Sequence, residues 1–238
     1  SPDDKPSTQH LNHYNGEHFE VHLLLWGDVG IVIDKHDDDD DPLSTASQLR
    51  HQRSVLATCS NAGDLIIWDL SRGITQSVCF VGHSRSVHRI HFNPNAPNEI
   101  ISASHDGTVK LFDVRDQSCR QVFHVRTTAP SPVRDVVYCP REGHTLAAAF
   151  ENGLACIWDT RNDSRPARCF QAHNAVTASI DWHPMWNSSD RNWLATAGGR
   201  DNTIKVWDLN KTSPTTVYSL RTKNTGNIRW RVGEVSFL

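Results

Sequence analysis

Three residue types in this chain could carry chemistry, and each is tested by spacing. Histidines cluster at the start as His10, His13, His18 and His22, but their spacing matches neither a pair on one helix face nor a finger, so no metal site is expected. Asp37 to Asp41 run consecutively into Pro42. Five like charges repel one another and favour a solvated loop, and the run lacks the glycine and the alternating oxygen ligands of a calcium loop. The six cysteines, Cys59, Cys79, Cys119, Cys139, Cys156 and Cys169, form no C-x-x-C pair and lie in or beside apolar runs. They are expected to be reduced, small core hydrophobes, with no disulfide framework and no zinc site. No G-x-S-x-G, P-loop, H-E-x-x-H or dinucleotide loop occurs. Gly198-Gly199 precedes a hairpin turn, not a phosphate-binding helix. The reading is therefore no catalytic residues, no cofactor and no metal.

The elements that must position these residues are strands. Trp193 to Leu209 (WLATAGGRDNTIKVWDL) reads as two strands joined by Arg200-Asp201-Asn202. In the second, Ile204, Val206 and Leu209 alternate with Thr203, Lys205 and Asp208, as a half-buried strand requires. The pattern recurs as VLATCS/DLIIWDL, IISASHD/TVKLFDV and TLAAAF/LACIWDT, placing Trp68, Phe112, Trp158 and Trp207 at intervals of 44, 46 and 49 residues. The turns Ala62-Gly63, Asp106-Gly107, Asn152-Gly153 and Asp201-Asn202 stand at one offset from the terminal Asp, where positive φ favours Gly and Asn. A second register marks the strand opening each unit, with Trp26, Phe92, Tyr138, Trp182 and Trp230, preceded two residues earlier by Leu24, Ile90, Val136, Ile180 and Ile228. Val21 to Trp26 is read as the opening strand of the first unit.

Composition narrows the partners. With 24 basic against 27 acidic residues and a net charge of −3, there is no global field to attract nucleic acid, and no aromatic-studded basic stripe appears. No apolar run is long enough to span a bilayer, and the first ten residues lack signal-peptide character. No nucleic-acid partner, no direct membrane insertion and an intracellular, cytoplasmic setting are expected.

A period of 40 to 45 residues with four short strands, a Gly-His near the start and a Trp-Asp near the end is a propeller signature. With Gly82-His83 opening the second unit and Ala172-His173 the fourth, the chain resembles the WD-repeat family. That resemblance implies an all-β propeller of about four blades plus the start of a fifth. The units are 21–81, 82–126, 127–171, 172–221 and a partial 222–238, with 1–20 as a flexible approach segment and 34–52 as an acidic insertion. The partial unit and the missing initiator Met suggest a fragment of a longer protein. The resemblance further implies a buried hydrogen-bonded network of His83, Asp106 and Ser102 in the second unit, truncated because Phe112 has no N–H. In the fourth it implies His173, Asp201 and Trp207. There the hydroxyl position stays open, because Thr196 lies one residue further from its Asp than Ser102 does. The first and third units lack these histidines. It also places Asn61, His105, Glu151 and Arg200, just before each turn, on one face as candidate partner contacts.

Two finer resemblances follow. Asp113-Val114-Arg115 and Asp159-Thr160-Arg161 look like the docking box of WD-repeat substrate receptors of cullin-RING ubiquitin ligases, with Arg115 and Arg161 as contacts. The strings Ser131-Pro132-Val133-Arg134-Asp135-Val136, Glu151-Asn152-Gly153, Asp181-Trp182-His183-Pro184 and Trp193-Leu194-Ala195-Thr196, with the LFDVR unit, resemble the large WD-repeat subunit of the GATOR/SEA complex. This implies a non-enzymatic scaffold that binds sibling WD-repeat subunits, promotes amino-acid-dependent TOR kinase signalling and associates peripherally with the lysosomal or vacuolar surface.

Overall fold

The computed structural model describes residues 32–33, 55–69, 75–126, 129–162, 164–184, 192–223 and 226–230. The approach segment 1–20, the strand read at Val21 to Trp26 and the acidic run lie outside them. The described residues form four antiparallel sheets of four strands and no helix. The first sheet holds β1 (Val32–Ile33), β2 (Val55–Cys59), β3 (Asp64–Asp69) and β4 (Thr75–Val81). The second holds β5 (Val87–Asn93), β6 (Ala96–Ser104), β7 (Thr108–Asp113) and β8 (Ser118–His124). The third holds β9 (Val133–Cys139), β10 (Glu142–Phe150), β11 (Leu154–Asp159) and β12 (Arg168–Gln171). The fourth holds β13 (Thr177–Trp182), β14 (Trp193–Gly198), β15 (Thr203–Asp208) and β16 (Thr215–Arg221). In every sheet the strands pair in sequence order.

The first sheet corrects the sequence register. Ile33 pairs with Leu56 as Phe92 pairs with Ile100, so Ile33 occupies the opening-strand position assigned to Trp26. The aromatic marker misplaced this strand because an aliphatic residue holds its place. The four turns share one backbone solution: Gly63 (φ 100°), Gly107 (86°), Gly153 (90°) and Asn202 (51°) are all left-handed. At Gly63 and Gly153 the demand is doubled, because a Cβ would collide with the carbonyl oxygens of His83 and His173.

Alternation along each middle strand sends successive side chains to opposite sheet faces, and the faces stack into three cores. Leu65, Ile67 and Phe80 of the first sheet pack on Ile90, Ile100 and Phe112 of the second. Ile101, Leu111 and Phe123 of the second pack on Val136, Leu146 and Trp158 of the third. Ala147, Ala149 and Ile157 of the third pack on Ile180, Leu194 and Trp207 of the fourth. The aromatic near the end of the third strand of each later sheet rests on a Phe of the preceding sheet's outer strand. Ring centroids are 4.9 Å apart for Phe80–Phe112, 6.1 Å for Phe123–Trp158 and 4.9 Å for Phe170–Trp207, distances at which aromatic pairs gain beyond area burial.

The inner strands pack on one another through a polar hub. Asp135 on β9 is 1% exposed; one carboxylate oxygen accepts Arg89 Nε from β5 at 2.8 Å, and the other accepts Ser179 Oγ from β13 at 2.7 Å and Ile180 N at 3.1 Å. Arg229 Nη1 approaches the same carboxylate at 3.4 Å, and Arg89 Nη2 donates to Asn227 Oδ1. A buried carboxylate is tolerated only when paired and hydrogen-bonded. Asp135, in the third sheet, meets that condition with partners from the second and fourth sheets and the segment 226–230.

Candidate functional site

Two sheets carry a buried polar network built from one plan. In the fourth, Trp207 Nε1 donates to Thr196 Oγ1 (2.8 Å), the Thr196 hydroxyl meets His173 Nε2 (2.9 Å), and His173 Nδ1 meets Asp201 Oδ2 (2.8 Å). With the indole donating to Thr196, the hydroxyl proton goes to Nε2 and the Nδ1–H to the carboxylate, which fixes the neutral tautomer. Thr203 completes the chain, donating its hydroxyl and backbone N–H to Asp201 Oδ1. In the second sheet His83 Nδ1 meets Asp106 (2.9 Å) and His83 Nε2 meets Ser102 Oγ (2.6 Å), while Phe112 offers no N–H. Burial pushes the Asp106 and Asp201 carboxyls up, but hydrogen bonds from histidine and threonine outweigh it and hold both below the usual carboxylate range. Burial pushes the His173 imidazole down, against the pull of Asp201, so the ring stays neutral.

Thr196 therefore fills the hydroxyl position that the sequence left open. It pairs with Lys205 as Ser102 pairs with Lys110, so the extra residue lies in the turn and not in the strand. Main-chain bonds locate it: His105 N donates to Ser86 O, Glu151 N to Pro132 O and Gly199 N to Val176 O. Gly199, not Arg200, is thus the counterpart of His105 and Glu151, and Arg200 is the inserted residue. Sequence reasoning also missed two lysines. Lys205 Nζ donates to Ala172 O at 2.7 Å and Lys110 Nζ to Gly82 O, each tying a middle strand to the residue before the network histidine.

The other two sheets solve the same position differently. In the first, Thr58 accepts Trp68 Nε1 at 2.9 Å, and among the described residues no histidine joins it. In the third, Ala148 stands at the hydroxyl position, and Trp158 Nε1 donates instead to Ser164 O at 3.0 Å. Opposite Ala148, Cys156 is disulfide-bonded to its cross-strand neighbour Cys169, which corrects the expectation of six reduced cysteines. Direct opposition on antiparallel strands brings the two Cα atoms to 4.2 Å, a proximity invisible until the strand register is known. Cys59 and Cys139 are buried, whereas Cys79 and Cys119 are exposed and are not core hydrophobes.

An Asp–His–hydroxyl series is also the arrangement that activates a nucleophile. Here Ser102, Thr196 and the His83 and His173 side chains are sealed from solvent at 0% exposure, so these groups hold the turns onto the strands. The surface candidates divide between opposite ends of the sheets. Asn61 and Arg200 are exposed at the turn end. His105, at the same end, stacks edge-on against His88 with centroids 5.7 Å apart, and Glu151 pairs with Arg134 at 2.8 Å. Arg115 and Arg161 lie at the other end, folded back on Asp113 (2.9 Å) and Asp159 (2.7 Å). The Arg115 guanidinium holds the Asp113 carboxyl down to about 2, and Arg161 lowers Asp159 in the same way.

The model of the WD domain, G-beta repeat, matches residues 74–113 and 164–208. The chain belongs to the WD-repeat family. Each match runs from the outer strand of one blade through the first three strands of the next, and the two matched units are those with the complete His–Asp pair. Among curated proteins the chain is similar to "GATOR2 complex protein WDR24" of Danio rerio, 36% identical over 193 residues, which is 79% of this chain and 24% of that protein. The Homo sapiens protein of that name is 36% identical over 194 residues, with the same shares covered. "Maintenance of telomere capping protein 5" of Saccharomyces cerevisiae is 30% identical over 168 residues, 70% of this chain and 14% of that protein. The chain spans about a quarter of the length of the first curated relatives it matches.

Proposed function

We propose that the chain is the propeller portion of a GATOR2-type subunit. It acts as a non-enzymatic scaffold that binds sibling WD-repeat subunits and promotes amino-acid-dependent TOR kinase signalling at the lysosomal or vacuolar surface. The observation that carries this reading is the 36% identity to the GATOR2 complex proteins across 79% of the chain. The physical design agrees with it: histidines and hydroxyls that could do chemistry are spent on blade integrity, leaving loops and rims for contact. Binding at such a surface comes from a few anchored side chains on a preorganised frame.

Affinity capture of the full-length protein from cells tests the proposal. Recovery of WD-repeat subunits of a GATOR2-type complex is expected. Recovery of a cullin adaptor instead, abolished by Arg115→Ala with Arg161→Ala, would overturn it in favour of a ubiquitin-ligase substrate receptor.

A further inference from the structure

The net charge of −3 conceals an uneven distribution between the two ends of the blades. At the turn end, Arg85, Arg126, Arg200, Arg221 and Lys223 are all exposed. They lie in loops between successive blades, in the β14–β15 turn and at the end of β16. Among the described residues none of the five forms an ion pair. The carboxylates at that end bond to other groups and not to these five: Asp64 to Ser60, Asp106 to His83, Glu151 to Arg134 and Asp201 to His173. The opposite end is more nearly compensated, with Arg165 and Lys211 its exposed cations without an ion pair among the described residues. Arg115 and Arg161 close on their own aspartates, and Arg120 spans Asp116 (3.0 Å) and Glu99 (3.4 Å). The turn end thus presents the larger set of exposed cations without an ion pair among the described residues, five against two, free to meet carboxylates of another molecule.

We propose that this end of the blades binds an acidic polypeptide segment of a partner protein, its Asp and Glu side chains pairing with these five cations. The inference rests on the scaffold reading and names the chemistry of the partner. Arginine dominates the set, and its planar fork matches a carboxylate bidentately. Any one exposed pair is weak, so binding comes from several pairs at once, with the cationic end steering the acidic chain into place. A lipid surface fits less well. Interfacial binding favours aromatic anchors among the cations, and the described loops and turns at this end contain no Trp, Tyr or Phe.

The test measures fluorescence anisotropy of a labelled Asp/Glu-rich peptide with the full-length protein, beside a matched peptide in which every carboxylate is an amide. The acidic peptide should bind saturably, weaken as salt rises, and exceed the amide peptide by about tenfold or more, roughly 1.4 kcal/mol. Arg85→Ser with Arg126→Ser and Arg200→Ser should remove that preference, whereas Arg115→Ser with Arg161→Ser should leave it intact. Equal binding of the two peptides to the unaltered protein overturns the inference without recourse to any variant. Equal losses in both sets of variants overturn it too. So does uptake onto phosphatidylserine vesicles through the three arginines without peptide discrimination. Subunit capture separates the two readings: intact capture with no peptide preference sinks this inference alone. Peptide preference without capture sinks the scaffold reading alone.

Discussion

Replacing Thr196 by valine keeps the side-chain shape and deletes the one oxygen that joins two halves of the fourth blade's network. Thr196 is 0% exposed, and its hydroxyl serves both Trp207 Nε1 and His173 Nε2. Each buried group left without a partner costs on the order of 1–3 kcal/mol. Two such groups, less the gain from no longer burying the hydroxyl, give a loss of about 2–4 kcal/mol. Ser102→Ala orphans only His83 Nε2, since Phe112 makes no bond there, and should cost about 1–3 kcal/mol. Thr58→Val frees Trp68 Nε1 in a half-buried site where water replaces the partner, and should cost about 1 kcal/mol or less. Urea unfolding followed by tryptophan fluorescence resolves this order. In thermal unfolding, a loss near 3 kcal/mol corresponds to roughly 6–12 °C for a domain of this size. If Thr196→Val is no more damaging than Thr58→Val, the shared hydroxyl is not the joint described here.

Two further outcomes are expected. Gly153→Ala should destabilise by about 2 kcal/mol or more, because left-handed φ costs a non-glycine residue roughly 1–2 kcal/mol and the new Cβ strikes His173 O. Gly107→Ala bears the conformational cost without a backbone-oxygen collision as severe, so equal denaturation midpoints for the two would contradict the assignment. His91 is pushed down to about 4, by burial first and by Arg229 second. Below its unfolded value near 6.5 the unfolded chain binds more protons than the folded one, so stability is retained above that pH and lost as pH falls toward 4. The loss amounts to up to ~3 kcal/mol. His91→Asn should flatten the pH dependence of the denaturation midpoint across that window; an unchanged slope would refute the assignment.

The strands were legible because each pairs a period-two apolar pattern with a turn whose second residue must accept positive φ. Gly63, Gly107, Gly153 and Asn202 announce that geometry by residue type. The first inner strand was not legible: Ile33 carries no marker, and Trp26 supplied a misleading one. Thr196 escaped because Arg200 lengthens its turn, and counting from Asp201 cannot tell whether an extra residue belongs to turn or strand. The hub at Asp135 escaped for a different reason. Arg89, Asp135, Ser179 and Asn227 each stand one residue before an aliphatic marker, yet share no chemistry, so only assembled inner strands show them to be partners. The cystine and the cationic end have the same cause, since both depend on which residues face one another across strands and loops.

The proposed scaffolding role requires the blades to behave as one body joined through Asp135, and hydrogen exchange of the Asp135→Ala variant measures that directly. Exchange should quicken together in β5, β9 and β13, because the lost carboxylate holds Arg89, Ser179, Ile180 N and Arg229. Acceleration confined to β9, with β5 and β13 as slow as in the unaltered protein, would show sheets that stand side by side without the axial coupling.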